Sequence, residues 1–220
     1  MSTAATVQSA SICTAERPLV IGAFLFDDFQ SLDLYGPLGI FSILRERVRI
    51  VTLAAAPGSV RASHGPATVA DRAFADPGPL DVLLVPGGQG TRREVDNAAL
   101  LESLRRLAET TPLVASVCTG SALLARAGLL DGHRATSNKR AFPWAVSQGP
   151  GVHWVPEARW VEDGKFFTSS GVAAGIDLAL AIVARLFDRD TAIGIAQAAE
   201  YEWRENSARD PFARVHGLVS

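Results

Sequence analysis

Short, continuous apolar runs alternate along this chain with stretches of helical spacing. The run "PLVIGAFLF" (18–26) reads as a buried strand, and after the acidic turn "DDFQ" the stretch "SLDLYGPLGIFSIL" (31–44) takes up a helical pattern. "RVRIVTLAA" (47–55) is a second strand, and "VRASHGPATVADRAF" (60–74) has the turn residues of short antiparallel excursions. "LDVLLVPGG" (80–88) is a third run that stops at a glycine pair. "NAALLESLRRLAETT" (97–111) is amphipathic, "PLVASV" (112–117) returns to a strand, and "GSALLARAGLL" (120–130) is the next helix, with Gly128 as its stop. "GVHWVPEARWVEDGKFFTSSG" (151–171) alternates and turns at "EDG", which predicts a hairpin or an edge pair. Helices at about 173–187 and 190–203 complete the pattern.

Strands that alternate with helices predict an α/β fold: a flavodoxin-like or Rossmann-like sandwich with a mostly parallel central sheet and helices on both faces. A chain of 220 residues with 48% hydrophobic content can bury a sizeable core, and residues 18–220 read as one domain. Residues 1–17 are polar, without a basic segment or a continuous apolar core of a signal peptide, and read as a flexible tail. The longest apolar stretch, around "GIDLALAIVARLF", is interrupted by Asp177 and Arg185 and is too short to span a bilayer. A formal net charge of −2 without a basic run leaves no footprint for nucleic acid or a membrane surface, so a small, neutral partner fits better. Only two cysteines occur, Cys13 and Cys118, so neither a disulfide framework nor a zinc cluster is expected, and a reducing, cytoplasmic setting is the natural one.

Cys118 is the most informative residue. In an open parallel sheet, reacting side chains sit at the carboxyl ends of strands, and Cys118 sits where "VASV" gives way to a helix. Gly120 and Ser121 behind it allow a tight strand-to-helix turn of the nucleophile-elbow kind. The following helix N-terminus would lower the thiol pKa. Against this, free cysteine commonly behaves as a small buried hydrophobe. The loop "VPGGQG" (85–90) is neither a Walker loop nor a dinucleotide fingerprint. Its glycine pair, Gly87 and Gly88, could present backbone N–H groups as an oxyanion hole, or simply meet the backbone demands of a turn. Asp33, at the start of the first helix, has the position of a helix cap, which is the commoner role, or of an acid-base partner for the cysteine.

"FDDFQSLDLYGPLGIF", "VPGGQGTR", "SVCTGSALLARAGLLDGHRAT" and "GKFFTSSGVAAGIDLALAIVARLF", in this order, resemble the ThiJ/PfpI superfamily, which shares the class I glutamine amidotransferase fold. The resemblance runs from residue 18 to residue 213. The Asp in "LDLYGP" is similar to that of the isocyanide (isonitrile) hydratase branch; the parkinsonism-associated branch and its glyoxalase relatives carry a Glu in this region. The resemblance implies Cys118 as nucleophile, Asp33 as its acid-base partner and Thr119 beside them, with Gly87 and Gly88 bordering the pocket. It implies no metal or organic cofactor, a small-molecule substrate, and a homodimer. In that branch the thiolate attacks the terminal isocyanide carbon, and water releases an N-formamide from the thioimidate.

One departure stands out. Where the hydratases carry Thr-His-Trp after "GHRAT", this chain has "SNKRAFPW", with Asn138 and Lys139 at the place of the His. A His-dependent triad therefore lacks its base, while Asn138, Lys139, Phe142 and Trp144 are expected to reshape the pocket. His64 in "SHGP" is the best placed of the other histidines, ahead of His133 and His153. Tyr201, Trp203 and Phe212 are candidates to line the site or an interface. Two further enzymatic readings are glyoxalase III or deglycase-like action on 2-oxoaldehydes and a step in natural-product biosynthesis. A sensor that oxidises at Cys118 is the non-enzymatic reading. The same domain forms the N-terminal half of some AraC-type regulators, but no helix-turn-helix pair is expected within these 220 residues, so direct DNA contact is disfavoured.

Overall fold

The computed structural model describes residues 17–220; the expected tail at 1–16, with Cys13, lies outside the described residues. Arg17 is held in a two-pronged ion pair with Asp81, both contacts at 2.7 Å.

In chain order the elements are β1 (Leu19–Phe24), α1 (Ser31–Ser42), β2 (Val48–Ala54), β3 (Gly58–Arg61), β4 (Ala67–Ala70), β5 (Arg72–Ala73) and β6 (Val82–Val85). They continue with α2 (Thr91–Glu94), α3 (Ala98–Thr110), β7 (Leu113–Ser116), α4 (Gly120–Arg126), β8 (Arg134–Ala135), α5 (Phe142–Ser147) and β9 (His153–Trp154). The last are β10 (Trp160–Asp163), β11 (Phe166–Ser169), α6 (Ala174–Leu186), α7 (Arg189–Ala198) and α8 (Pro211–Val215). Seven strands form the central sheet in the order β10-β11-β7-β6-β1-β2-β5. All pairings in it are parallel except the β10–β11 hairpin at one edge, which turns through "DGK" as its pattern predicts. The excursion at 60–74 folds as the antiparallel pair β3–β4 and the short edge strand β5.

β6, β7 and β11 are buried at every position, which explains why they read as unbroken apolar runs rather than alternating ones. The path from β1 to β2 steps outward on one side, and that from β6 to β7 steps outward on the other. With right-handed crossovers, these opposite steps place α1 and α3 on opposite faces of the sheet. α6 packs against α1 and α7, and α4 packs against α3. The chain direction thus reverses between β1 and β6, and the loops leaving their carboxyl ends open a crevice there. Asp33 in the first turn of α1, Gly87–Gly88 in the loop after β6 and Cys118 in the turn after β7 lie at these carboxyl ends.

The last long helix is shorter than its spacing predicts. α7 stops at Ala198, and Glu200 turns the chain with φ of +50°. The reason is Asp177 on α6. Its carboxylate accepts from the Tyr201 hydroxyl at 3.1 Å and the Arg204 N–H at 2.9 Å, while its carbonyl accepts from Trp203 Nε1 at 3.2 Å. These bonds draw 201–204 out of the helix and across α6.

Candidate active site

Cys118 sits at φ of +59°, in the left-handed region that a non-glycine residue enters at a cost of about 1–2 kcal/mol. The surrounding bonds account for its persistence there. Its N–H lies between the carbonyls of Ser169 (3.2 Å) and Ser170 (3.1 Å), and its carbonyl accepts from the hydroxyls of Ser121 (3.1 Å) and Ser137 (3.0 Å). Directly behind it, Gly120 lies so close to the Val85 carbonyl that no side chain fits. The elbow read from "VCTGS" is therefore present, held on one side by β11 and on the other by the segment after β8.

Asp33 is the third residue of α1 and fully buried. It does not cap the helix. The cap residue Gln30 has no side-chain cap, and its N–H donates instead to the Gly87 carbonyl at 2.8 Å, which pins the start of α1 to the glycine loop. Asp33 Oδ2 accepts from the Gly87 N–H at 3.0 Å, while Oδ1 is buried without a conventional partner. Burial pushes the carboxyl up to about 7, against the opposing pulls of the Gly87 N–H and the Cys118 thiol. The thiol is itself pushed well above its ordinary value, first by burial and then by the charge of Asp33. This corrects the expectation of a low thiol pKa: the N–H groups of Thr119 and Val172 do pull it down, but desolvation and the carboxyl outweigh them.

The glycine pair serves the site differently from an oxyanion hole. Gly87 donates to Asp33 and lies outside the cavity lining, and the Gly88 N–H donates to Thr119 Oγ1 at 3.1 Å. Thr119 Oγ1 also bonds Thr91 Oγ1 at 3.1 Å, which ties the elbow to the start of α2. The donors aimed at the sulfur are backbone N–H groups of Thr119 and Val172. Val172 holds its N–H there at φ of +40°, an unusual backbone for a β-branched residue. A Cβ on Gly87 would stand 2.9 Å from Asp33 Oδ2 and 2.6 Å from Thr119 Oγ1. Gly87→Ala is therefore expected to force the acid and the elbow apart. Turnover should fall at least about 10-fold and the fold should lose about 1–3 kcal/mol, read by steady-state rates and thermal unfolding.

Cys118 opens into a cavity of about 790 Å³. Thr119, Gly88, Asn138, Trp144 and His64 line it with Cys118, so six of the residues singled out from sequence converge on it. Asn138 is fixed by accepting from the Ala141 N–H at 2.9 Å. Lys139 points the other way. Its ammonium is buried between Thr136 Oγ1 (2.7 Å) and the Ala158 carbonyl (2.5 Å), and burial lowers it to about 8. Phe142 packs beside it, and neither residue lines the cavity. His133 meets Phe166 edge to face and His153 pairs in β9, and neither lines the cavity. Tyr201 and Trp203 are held by Asp177, Phe212 is exposed, and none of the three reaches the cavity.

Sequence reading missed Val172, Gln30, Gln89, Arg92 and Arg140, all in the lining. Arg92 follows the glycine pair closely in "PGGQGTR", and that spacing is the one signal that could have found it. Among the described residues, no group of three His, Cys, Asp or Glu comes together as a metal site, and no helix is long and apolar enough to cross a membrane.

The chain is similar to known proteins in sequence and in fold. Isonitrile hydratase of Pseudomonas putida is 38% identical over 186 residues, covering 83% of this chain and 78% of its own. A deglycase of Pyrococcus abyssi is 31% identical over 156 residues, 70% of this chain and 89% of its own. The crystal structure of a ThiJ/PfpI family protein from Pseudomonas syringae superposes with a TM-score of 0.78 at 31% identity, over 84% of this chain and 76% of the other. The profile of the DJ-1/PfpI family matches residues 10–185. With that match, and with a flavodoxin-like sheet of the kind its solved relatives show, the chain belongs to the DJ-1/PfpI family.

Proposed function

We propose that this protein hydrates an isocyanide to an N-formamide, with Cys118 as nucleophile and Asp33 as its proton carrier. The observation that carries the reading is the buried pair itself: a carboxyl near 7 against a protonated thiol at the floor of a cavity. A group that must both take and return a proton near neutral pH works best with a pKa in that range. The similarity to an isonitrile hydratase supports the same reaction.

In the first step Asp33 takes the thiol proton as sulfur bonds to the terminal carbon of R–N≡C, and delivers that proton to the same carbon. The product is a thioimidate, Cys118–S–CH=N–R. The N–H groups of Thr119 and Val172 offset the charge that builds on sulfur during the transfer. In the second step water adds to the thioimidate carbon, Asp33 passing a proton from water to nitrogen. The C–S bond then breaks as the adduct's hydroxyl becomes the formyl carbonyl, the hydroxyl proton passes through Asp33 to sulfur, and R–NH–CHO leaves. One water is consumed, and nothing is oxidised or reduced. Gly88, Asn138 and Trp144 shape the space around the substrate, and Gly87 positions Asp33.

The test is a parallel assay of the wild-type protein on phenyl isocyanide and on methylglyoxal. Formanilide should accumulate while methylglyoxal is spared. Loss of methylglyoxal without any formanilide would replace this reading with the deglycase-like one.

A further inference from the structure

The charge around the cavity does not follow the charge of the chain. The protein carries a formal net charge of −2, yet the lining contains Arg92, Arg140 and His64 and no aspartate or glutamate. Arg92 and Arg140 are exposed while Cys118 is buried, so the cations stand at the rim and the thiol at the floor. Neither arginine forms an ion pair among the described residues, although Arg93 beside Arg92 pairs with Glu94 and Asp28. Arg92 is nevertheless ordered. Its guanidinium lies 4.0 Å from the centroid of the Trp144 ring, and among the described residues its one hydrogen bond goes to Thr91 Oγ1 at 3.3 Å. A guanidinium stacked on an indole keeps its in-plane N–H groups available for a second partner.

Resting on the hydratase reading, we infer that the substrate carries a carboxylate, received by Arg92 and Arg140 while its isocyanide group reaches Cys118. A carboxylate matches the guanidinium fork in two parallel hydrogen bonds. Phosphate shares the charge, but it is favoured by a run of free backbone N–H groups, and five amides of the glycine loop and the start of α2 are already taken. The Gly87 and Gly88 amides are engaged by Asp33 and Thr119, and those of Gly90, Thr91 and Arg92 by the carbonyls of Asp28, Gly88 and Gln89. The cavity focuses the field of the two arginines, so a net-acidic protein draws an anion to this one place. The expectation of a neutral partner, drawn from overall charge, is thereby replaced by one drawn from local charge.

The experiment measures binding of unreactive product analogues by calorimetry, and so does not depend on turnover. 4-Formamidobenzoate should bind the wild-type protein at least about 10-fold more tightly than formanilide, and the preference should shrink as salt is raised. In Arg92→Leu/Arg140→Leu, whose fold is checked by circular dichroism, the ratio should fall to about 1, with each single variant between. Equal binding of the two formamides by the wild type, or a preference that survives the double variant, overturns the inference. Tighter binding of 4-formamidophenyl phosphate than of the benzoate overturns the choice of carboxylate. If the carboxylate preference holds but no isocyanide is turned over, the anion site stands and the hydratase reading falls.

Discussion

Cys118→Ala leaves a folded protein whose formamide production from phenyl isocyanide falls by at least about 10³-fold. The size of the loss follows from the geometry. With the sulfur gone no atom can form the thioimidate, and Asp33 faces only water across a gap it cannot bridge to the isocyanide carbon. The fold should survive, because the elbow is held by bonds to the Cys118 main chain from Ser121, Ser137, Ser169 and Ser170, none of which the substitution removes. Alanine also inherits the left-handed backbone at φ of +59°, so it neither adds nor relieves strain. Cys118→Ser is expected to be nearly as inactive. Its hydroxyl is harder to deprotonate than a thiol already pushed up by burial, and a carboxyl near 7 cannot take that proton. Formanilide production by Cys118→Ala at a tenth of the wild-type rate or more would remove the covalent step from the mechanism.

Much of this site was legible residue by residue, and the illegible parts share a cause. The elbow could be read because its requirements are local: a strand, a cysteine, and a glycine where β6 passes behind it. The role of Asp33 could not be separated from helix capping by position alone. What decides it is a partner from another loop, Gly87, whose N–H faces the carboxyl only because β6 lies next to β1 in the sheet. The thiol pKa was misread for a related reason. A helix N-terminus is visible in the sequence, but the burial and the neighbouring carboxyl that outweigh it come from folding. Arg92 arrives from α2 and Arg140 and Val172 from two loops, and their convergence depends on strand order. The early end of α7 likewise depends on Asp177, one helix away. Asn138 and Lys139, expected together at the place of a histidine, show the limit from the other side: Lys139 turns its charge into the interior while Asn138 takes the wall of the cavity.

Asp33→Asn should lower turnover by about 10²–10⁴-fold, the usual contribution of a positioned acid-base group, while making the protein more stable at neutral and alkaline pH. Both effects come from the same burial. Burial pushes the carboxyl up to about 7 in the folded protein, against about 4 for an exposed aspartate. Between those values the native state binds more protons than the unfolded state, so stability falls as pH rises from about 4 to 7. Above 7 the folded protein carries the full penalty of an ionised, partly unsatisfied buried carboxylate, on the order of 4 kcal/mol. Below 4 the acid is protonated in both states and the penalty is gone. Asparagine keeps an acceptor for the Gly87 N–H and carries no charge. The variant should therefore unfold at a higher temperature than wild type at pH 8, with the difference shrinking to nothing by pH 4. Its kinetics should change in step. The reactive pair carries one proton, so wild-type kcat/KM should rise with pH through an acid limb near 7, and the residual activity of Asp33→Asn should lack that limb. A stability gain that does not depend on pH would mean that the substitution acts through packing. An acid limb unchanged in the variant would assign it to another group.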